Sequence, residues 1–587
     1  IDAPAAEGAV PTEIRARARA GRRVVETPPL KVELKAVAPG SHHSRTFLSA
    51  IDLSVQTFGV VPRTDGGTMD RPGAKPALVL SLHGAGVEAI GQARAYKPKD
   101  WAWIVAPANR RPYGFDWEDW GRLDALEVLA EASRLFGTDP ARTYLTGHSM
   151  GGHGTWQIGA TLPGLWAAIA PSAGWPSFSS YGGGVVYKDP SPVEQMLARA
   201  NHPSETTNLA RNYLHFGVYI LHGDQDDNVP VAQARAMREL LGTFHPDFSY
   251  YERPGAGHWW GNECVDWPPL FEFLKERARP DDAAVRKVEF VTANPGISSR
   301  SRWVEILAQA HALEYSKVVL EKDEAGTAVS GTTENVLRLA LDLKAPGGGS
   351  KVMVEIDGSK VEASPAPGAD QVFLERSETG WRAAGPPDPG LKGPHRSGGF
   401  KDAFRHGFVL VYGTLGDAAE DARAFDKARF DAEMFWVRGN SGVEVLPDTA
   451  FDPAKYKDRS VILYGNADTN AAWLKLLPGS PVEIRNGWAR AGGKKFIGAD
   501  LAAYFVRPRP GSAFASVGAV GWTGRAGWVA ASPGQYFVSG AGFPDVLLFS
   551  AETLRSGTDG IRAVGWFGDD WSIDKGDIVW NEGRRLP

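Results

Sequence analysis

A serine stands among small residues in Gly147-His148-Ser149-Met150-Gly151, after the apolar run Thr143–Thr146 and before a stretch with helical spacing. A serine hydroxyl is a weak nucleophile and needs a positioned base with an orienting acid. A strand-to-helix turn this tight strains the serine backbone, so its neighbours must be small. The helix that follows offers its positive end to developing negative charge. Downstream come His222-Gly223-Asp224-Gln225-Asp226-Asp227-Asn228-Val229-Pro230 and Pro254-Gly255-Ala256-Gly257-His258-Trp259-Trp260. Asp224, Asp226 and Asp227 compete for the acid role, and His258, at the end of a Gly-rich loop, is the candidate base. His83, His148, His153 and His222 each flank a motif instead, which points to packing or hydrogen bonding. A tetrahedral intermediate also needs preorganised N–H donors for its oxyanion. The Met150 amide is one; the second is expected from His83-Gly84-Ala85-Gly86, Ala85 first and Gly86 next. Together these groups imply acyl transfer through an acyl-serine.

The surrounding pattern must hold them in place. Leu48–Val61 suggests one or two leading strands. From Pro76, short apolar runs (Ala77–Leu82, Trp103–Ala106, Thr143–Thr146, Ala167–Pro171, Val218–Leu221) alternate with helical spacing at Leu123–Leu135 and from about His153 to Leu162. That alternation predicts parallel βαβ units to about Arg279. Residues 280–398 alternate polar and apolar, as in Val288–Thr292, Trp303–Ala308, Ser316–Leu320, Val336–Leu343 and Lys351–Ile356, which predicts a β-sandwich. Pro346–Gly349 reads as a turn and Gly385–Gly399 as a linker. From Phe400 the pattern is α/β again: strands at Gly407–Tyr412 and Val461–Tyr464, a long, partly helical segment over Ala418–Trp436, and a helix after Gly465–Asn470, a segment open to reading as a ligand loop or as helix caps. The expected layout is an extension over 1–45, which includes the Ala/Arg-rich Glu13–Arg23 as a short helix or solvated tail, then units at 46–279, 280–398 and 399–587.

With these elements in order, Ala77–Leu274 resembles the esterase and prolyl-oligopeptidase-like branch of the α/β hydrolases. Tyr113–Leu129, Thr138–Tyr144 and Gly147–Trp156 are similar to bacterial carboxylesterases, feruloyl and acetyl-xylan esterases and polyhydroxybutyrate-depolymerase-like proteins. The resemblance implies an α/β fold and the chain order Ser, Asp, His. Its pattern H-G-x-x-D-x-x-V-P assigns the acid to Asp226, leaving Asp224 and Asp227 to turn hydrogen bonds. It implies the triad Ser149, Asp226 and His258 with the Met150 and Ala85 amides, and a serine carboxylic-ester hydrolase without cofactor or metal. Prolyl-oligopeptidase-type peptidases usually carry a large β-propeller before this unit and often Tyr after the serine. Here about 75 residues precede Ala77 and Met150 follows Ser149, so a peptidase is the alternative. A non-catalytic ligand-binding scaffold is the third reading.

Composition narrows the partners. With 587 residues, the length prior suggests three or four domains. A net charge of −5 without single-sign blocks gives no nucleic-acid footprint, and no apolar run is long enough to span a membrane. The single cysteine, Cys264, forms no internal disulfide and reads as a packed small hydrophobe. No nucleotide fingerprint appears in Gly518–Gly527. The start at Ile1 is read as processed, which implies a secreted or periplasmic protein whose signal peptide is gone; a cytoplasmic protein would look the same. Trp259, Trp260 and His148 are the candidate pocket residues, for a small-molecule or polysaccharide-linked ester. The remaining tryptophans, Trp117 and Trp120 among them, are assigned to packing. Tyr181–Val186, with three glycines, is a candidate mobile cover or a simple surface loop. The C-terminal region is expected to dock on the hydrolase unit and shape its cleft.

Overall fold

The structure is a computed structural model that describes residues 8–20, 23–38, 40–64, 75–343, 351–365, 371–536 and 538–581. The turn expected at Pro346–Gly349 lies outside the described residues. Eight strands form the first large sheet: β1 (His43–Leu48), β2 (Val55–Val61), β3 (Ala77–Leu82), β4 (Ala102–Pro107), β5 (Thr143–His148), β6 (Ala168–Ser172), β7 (Gly217–Gly223) and β8 (Phe248–Arg253). Their order across the sheet is β8-β7-β6-β5-β3-β4-β2-β1. β2 runs antiparallel to β1 and β4, and the pairs from β4 through β8 are parallel. This is an α/β-hydrolase fold. β3, β5, β6 and β7 are buried along their whole lengths, as parallel strands covered on both faces must be. The covering helices are α1 (Ala89–Arg94), α2 (Asp119–Phe136), α3 (Met150–Thr161), α5 (Ala232–Gly242) and α6 (Pro268–Lys275), whereas α4 (Pro192–Ala200) packs on the last strands of the C-terminal sheet.

Two five-stranded sheets follow. Lys287–Thr292, Ser316–Lys322, Ala328–Glu334, Val352–Ile356 and Ser359–Ala363 make one; Arg300–Ser301, Val304–Gln309, Val336–Asp342, Gln371–Ser377 and Gly380–Ala384 make the other. Their apolar faces meet in one cluster around Trp303, Leu320, Leu339 and Val354, the arrangement of a β-sandwich. The last sheet has eight strands, from Glu444–Pro447 at one edge to Asp577–Trp580 at the other. Its first four strands pair in parallel and the rest antiparallel, with α7 (Ala418–Gly439) packed against it.

Several expectations need correction. The described residues of Glu13–Arg23 hold no helix: Gly8–Ile14 pairs with Leu30–Ala36, and Arg17–Ala20 with Arg23–Glu26, as antiparallel ribbons. The helix after Ser149 begins at Met150, not near His153. The helix expected after Asn470 is the single turn Trp473–Leu476, and in the loop before it Asn466 and Asn470 bond to neighbouring backbone. Gly385–Gly399 is not a solvated linker. Its glycines and prolines promise freedom, but Lys392 is buried on Asp545 and the Phe567 carbonyl, and buried Arg396 donates to the Ala515 and Pro389 carbonyls.

Candidate active site

Ser149 lies between β5 and α3 with φ 60° and ψ −120°, a conformation that L-residues rarely hold. Its surroundings enforce it. A Cβ on Gly147 would stand 2.4 Å from the Gly151 carbonyl oxygen, and one on Gly151 would stand 2.0 Å from that of Leu82. The Ser149 N–H donates to the Ser172 carbonyl at 3.0 Å, which ties the turn to β6.

The loops after β7 and β8 bring the partners in. Ser149 Oγ lies 2.9 Å from His258 Nε2, and His258 Nδ1 lies 2.8 Å from Asp226 Oδ2 and 3.0 Å from Oδ1. A carboxylate only accepts, so Nδ1 carries the proton and Nε2 is left to receive the serine's. Burial alone would raise the Asp226 pKa, but hydrogen bonds from His222, His258 and the Asn228 N–H outweigh it and hold the group well below the usual carboxylate range. The Val229 N–H adds a further bond at 2.9 Å. Of the two rival aspartates, Asp224 accepts from the Gly255 N–H at 2.7 Å and so braces the loop that carries His258, while Asp227 is exposed.

The candidate oxyanion donors can be sorted by their commitments. Met150 is the first residue of α3, where an N–H has no intrahelical acceptor. Gly86 donates its N–H to the Pro112 carbonyl at 3.0 Å, which withdraws it as a donor and leaves Ala85. The loop passes close to the nucleophile: a Cβ on Gly84 would sit 3.4 Å from the Ser149 Cβ.

The rival histidines are all occupied. His148 Nε2 donates to the His258 carbonyl at 2.8 Å, and its ring packs 4.8 Å from that of His258. Burial, together with the neighbouring His258, pushes the His148 pKa down to about 3, so this ring is a neutral strut joining the serine turn to the base loop. His222 Nε2 serves the Val229 carbonyl at 2.9 Å and Asp226 Oδ2 at 3.1 Å. His83 Nδ1 donates to the Gly84 carbonyl, and burial lowers its pKa. His153 Nδ1 donates to the Trp175 carbonyl, and its ring stacks on Trp175 at 4.9 Å.

The aromatic residues divide. Trp259 is 52% exposed with its ring edge-on to His148 at 5.2 Å. Trp260 is half-buried and packs against the cluster that holds Tyr96, Phe271 and Leu270. Trp117 and Trp120 are fully buried. Cys264 is buried beneath, its thiol pushed up to about 12 chiefly by burial. Sequence reasoning missed two features. Tyr113, exposed, places its hydroxyl against Gly86 of the oxyanion loop. Trp175, Phe178 and Tyr181 form an aromatic wall, and the Tyr181 hydroxyl donates to the Asn228 carbonyl at 3.1 Å. That bond pins the start of Tyr181–Val186 to the acid loop, while Val185 and Val186 stay exposed. Among the described residues no group of three or more His, Cys, Asp or Glu side chains is placed to hold a metal, and no helix is long and apolar enough to cross a membrane.

Residues 110–276 match the Prolyl oligopeptidase family. Over 339 residues the chain is 29% identical to an uncharacterized secreted protein of Arthroderma benhamiae; the match covers 53% of this chain and 35% of that protein, so the chain spans about a third of its relative's length. Solved structures with a similar region include an acylaminoacyl peptidase of Pyrococcus horikoshii (16% identity, TM-score 0.33, 44% of this chain and 49% of that one). A ferulic acid esterase of Anaeromyces mucronatus (16% identity, TM-score 0.29, 40% and 90%) is another. The matched region, residues 110–276, is that of a serine-hydrolase family.

Proposed function

We propose that the protein is a secreted carboxylic-ester hydrolase that works through an acyl-serine, on esters of planar or sugar-bearing alcohols and acids, polysaccharide esters among them. The observation that carries the reading is the unbroken relay Ser149–His258–Asp226 beside the exposed, uncharged ring of Trp259. Planar rings and sugar faces stack on such a surface. The secreted relative supports the localisation.

In the proposed reaction, Ser149 Oγ attacks the ester carbonyl as its proton passes to His258 Nε2, and the Met150 and Ala85 amides hold the oxyanion. Collapse breaks the acyl–oxygen bond, and His258 returns the proton to the leaving alkoxide. Water then adds to the acyl-serine, giving its proton to His258. The second collapse frees the carboxylic acid and restores Ser149. The match to the Prolyl oligopeptidase family favours a second reading, peptide hydrolysis by the same groups.

Short p-nitrophenyl esters and dipeptidyl p-nitroanilides, turned over by wild type and Ser149→Ala, separate the two. Ester hydrolysis that vanishes in Ser149→Ala, with little anilide cleavage, is expected. Anilide turnover at a comparable kcat/KM would replace the esterase with a peptidase. Unchanged turnover in Ser149→Ala would remove Ser149 from the mechanism.

A further inference from the structure

Where the hydrolase unit, the sandwich and the C-terminal unit converge, they enclose a cavity of about 220 Å³. Ser149, His258 and Asp226 are not among its lining residues. A dry cavity of about 150 Å³ is large enough to hold benzene, so this one admits a small organic molecule. Its walls are mixed: Leu123, Leu126, Ile297 and Phe543 give apolar surface, and six charged side chains complete it. Five of the six have partners. Lys401 Nζ reaches Asp119 at 2.8 Å and Arg405 reaches Asp402 at 3.0 Å. Glu118 accepts the Ser204 hydroxyl at 2.5 Å and faces His153 Nε2 at 3.6 Å. The sixth, Arg122, is 6% exposed, and among the described residues it makes no hydrogen bond or ion pair. Burial lowers its pKa against the opposing pull of the nearby Asp119 and Glu118 carboxylates, and Arg405 adds to the lowering. The Arg122 nitrogens are not among the side-chain atoms shut off from solvent, so they open on the cavity as donors still free to take an acceptor.

We propose that this cavity is a binding site for a small organic monocarboxylate, its head bidentate on Arg122 and its apolar body against Leu123, Leu126 and Phe543. The planar fork of arginine matches a carboxylate. A dianion would also face Glu118 and Asp119, which disfavours it. All three units contribute wall, so the site exists only in the assembled chain. It is distinct from the esterase or peptidase question, since none of its donors belongs to the triad.

The test is calorimetric titration of the full chain with benzoate, and with benzamide as the uncharged analogue. Saturable binding at one site per chain is expected, retained in Ser149→Ala and weakened at least about tenfold in Arg122→Gln. Benzamide is expected to bind at least about tenfold more weakly than benzoate. Ala541→Trp, which fills the cavity from the C-terminal side, should abolish binding without touching Arg122. Ester turnover reports the fold of both variants; if Arg122→Gln loses it, Ala541→Trp decides. Absence of saturable benzoate binding, or binding unchanged in the variant that keeps its fold, would overturn the proposal. So would binding lost in Ser149→Ala, which would put the anion at the oxyanion donors.

Discussion

Asp226 receives hydrogen bonds from two rings and two backbone amides, more than orientation of His258 alone requires. The excess has a functional consequence. With its pKa held far below the ordinary carboxylate range, Asp226 stays ionised across the acid limb of kcat/KM and adds no proton of its own to it. A limb of unit slope is expected in wild type, and a slope of two would contradict the assignment. Linkage runs the same way. A depressed folded pKa contributes stability above the unfolded value, and that contribution is lost as pH falls through the folded one. Asp226→Asn is expected to reduce kcat by about 10³–10⁴-fold with little change in KM, because it offers the wrong partner to Nδ1–H. Much of this was legible in the sequence, since Ser149, Asp226 and His258 each fall in a short local pattern, although only the family resemblance chose Asp226 over Asp224 and Asp227. The second ligand of Asp226 was not. His222 lies in the same motif, but nothing in the spacing says that its ring turns toward Asp226 while also serving the Val229 carbonyl.

Helix α2 carries the clearest conflict between an element and its surroundings. Asp124 is fully buried on it, and neither carboxylate oxygen has a partner among the described side chains. Burial raises its pKa to about 7 despite the nearby Arg110 charge. The native state therefore holds this proton where the unfolded chain has released it. Its contribution is full below the unfolded value near 3.8 and is lost as pH rises through about 7. Asp124→Asn is expected to raise the melting temperature at pH 8.5, by up to about 4 kcal/mol of stability, with no such gain near pH 4. Melting curves at the two pH values check it, and an equal shift at both would rule the cause out. The apolar period of α2 was visible in the sequence, because Ala125, Val128, Leu129 and Ala132 all face one core. That Trp120, one turn earlier, serves a different core was not, because periodicity reports a face and not what covers it. Gly385–Gly399 was misread for a related reason: composition reports backbone freedom, whereas Lys392 and Arg396 are fixed by residues more than a hundred positions away.

At the scale of the whole molecule, the hydrolase unit is not closed on itself. Phe115 and Trp120 belong to the same buried cluster as the C-terminal sheet. The Trp120 indole stacks on Phe435 at 5.3 Å and donates to the Phe404 carbonyl at 3.0 Å. Arg110 donates to the Gly439 carbonyl at 2.8 Å and forms a buried ion pair with Asp52. Nearer the catalytic groups, the Ser539 hydroxyl bonds to Asp116, and Gly540 passes against Phe178 of the aromatic wall. Trp120→Ala is expected to destabilise the full chain by about 3–5 kcal/mol. A chain ending at Arg279 is expected to be insoluble or to have lost most of its ester turnover. Soluble, fully active material from that truncation would show the shared cluster to be dispensable.

The shared cluster also sets a schedule for biosynthesis. The last helix of the hydrolase unit ends at Lys275, and Phe435 lies 160 residues later (435 − 275). At about 5–20 residues per second, the ribosome needs roughly 8–30 s to cross that interval. Throughout it the nascent hydrolase unit has Ser149, Asp226 and His258 in hand but lacks the Phe435 ring that stacks on Trp120. For those seconds the chain is a client for any factor that shields exposed aromatics, and its catalytic half waits on its tail to finish.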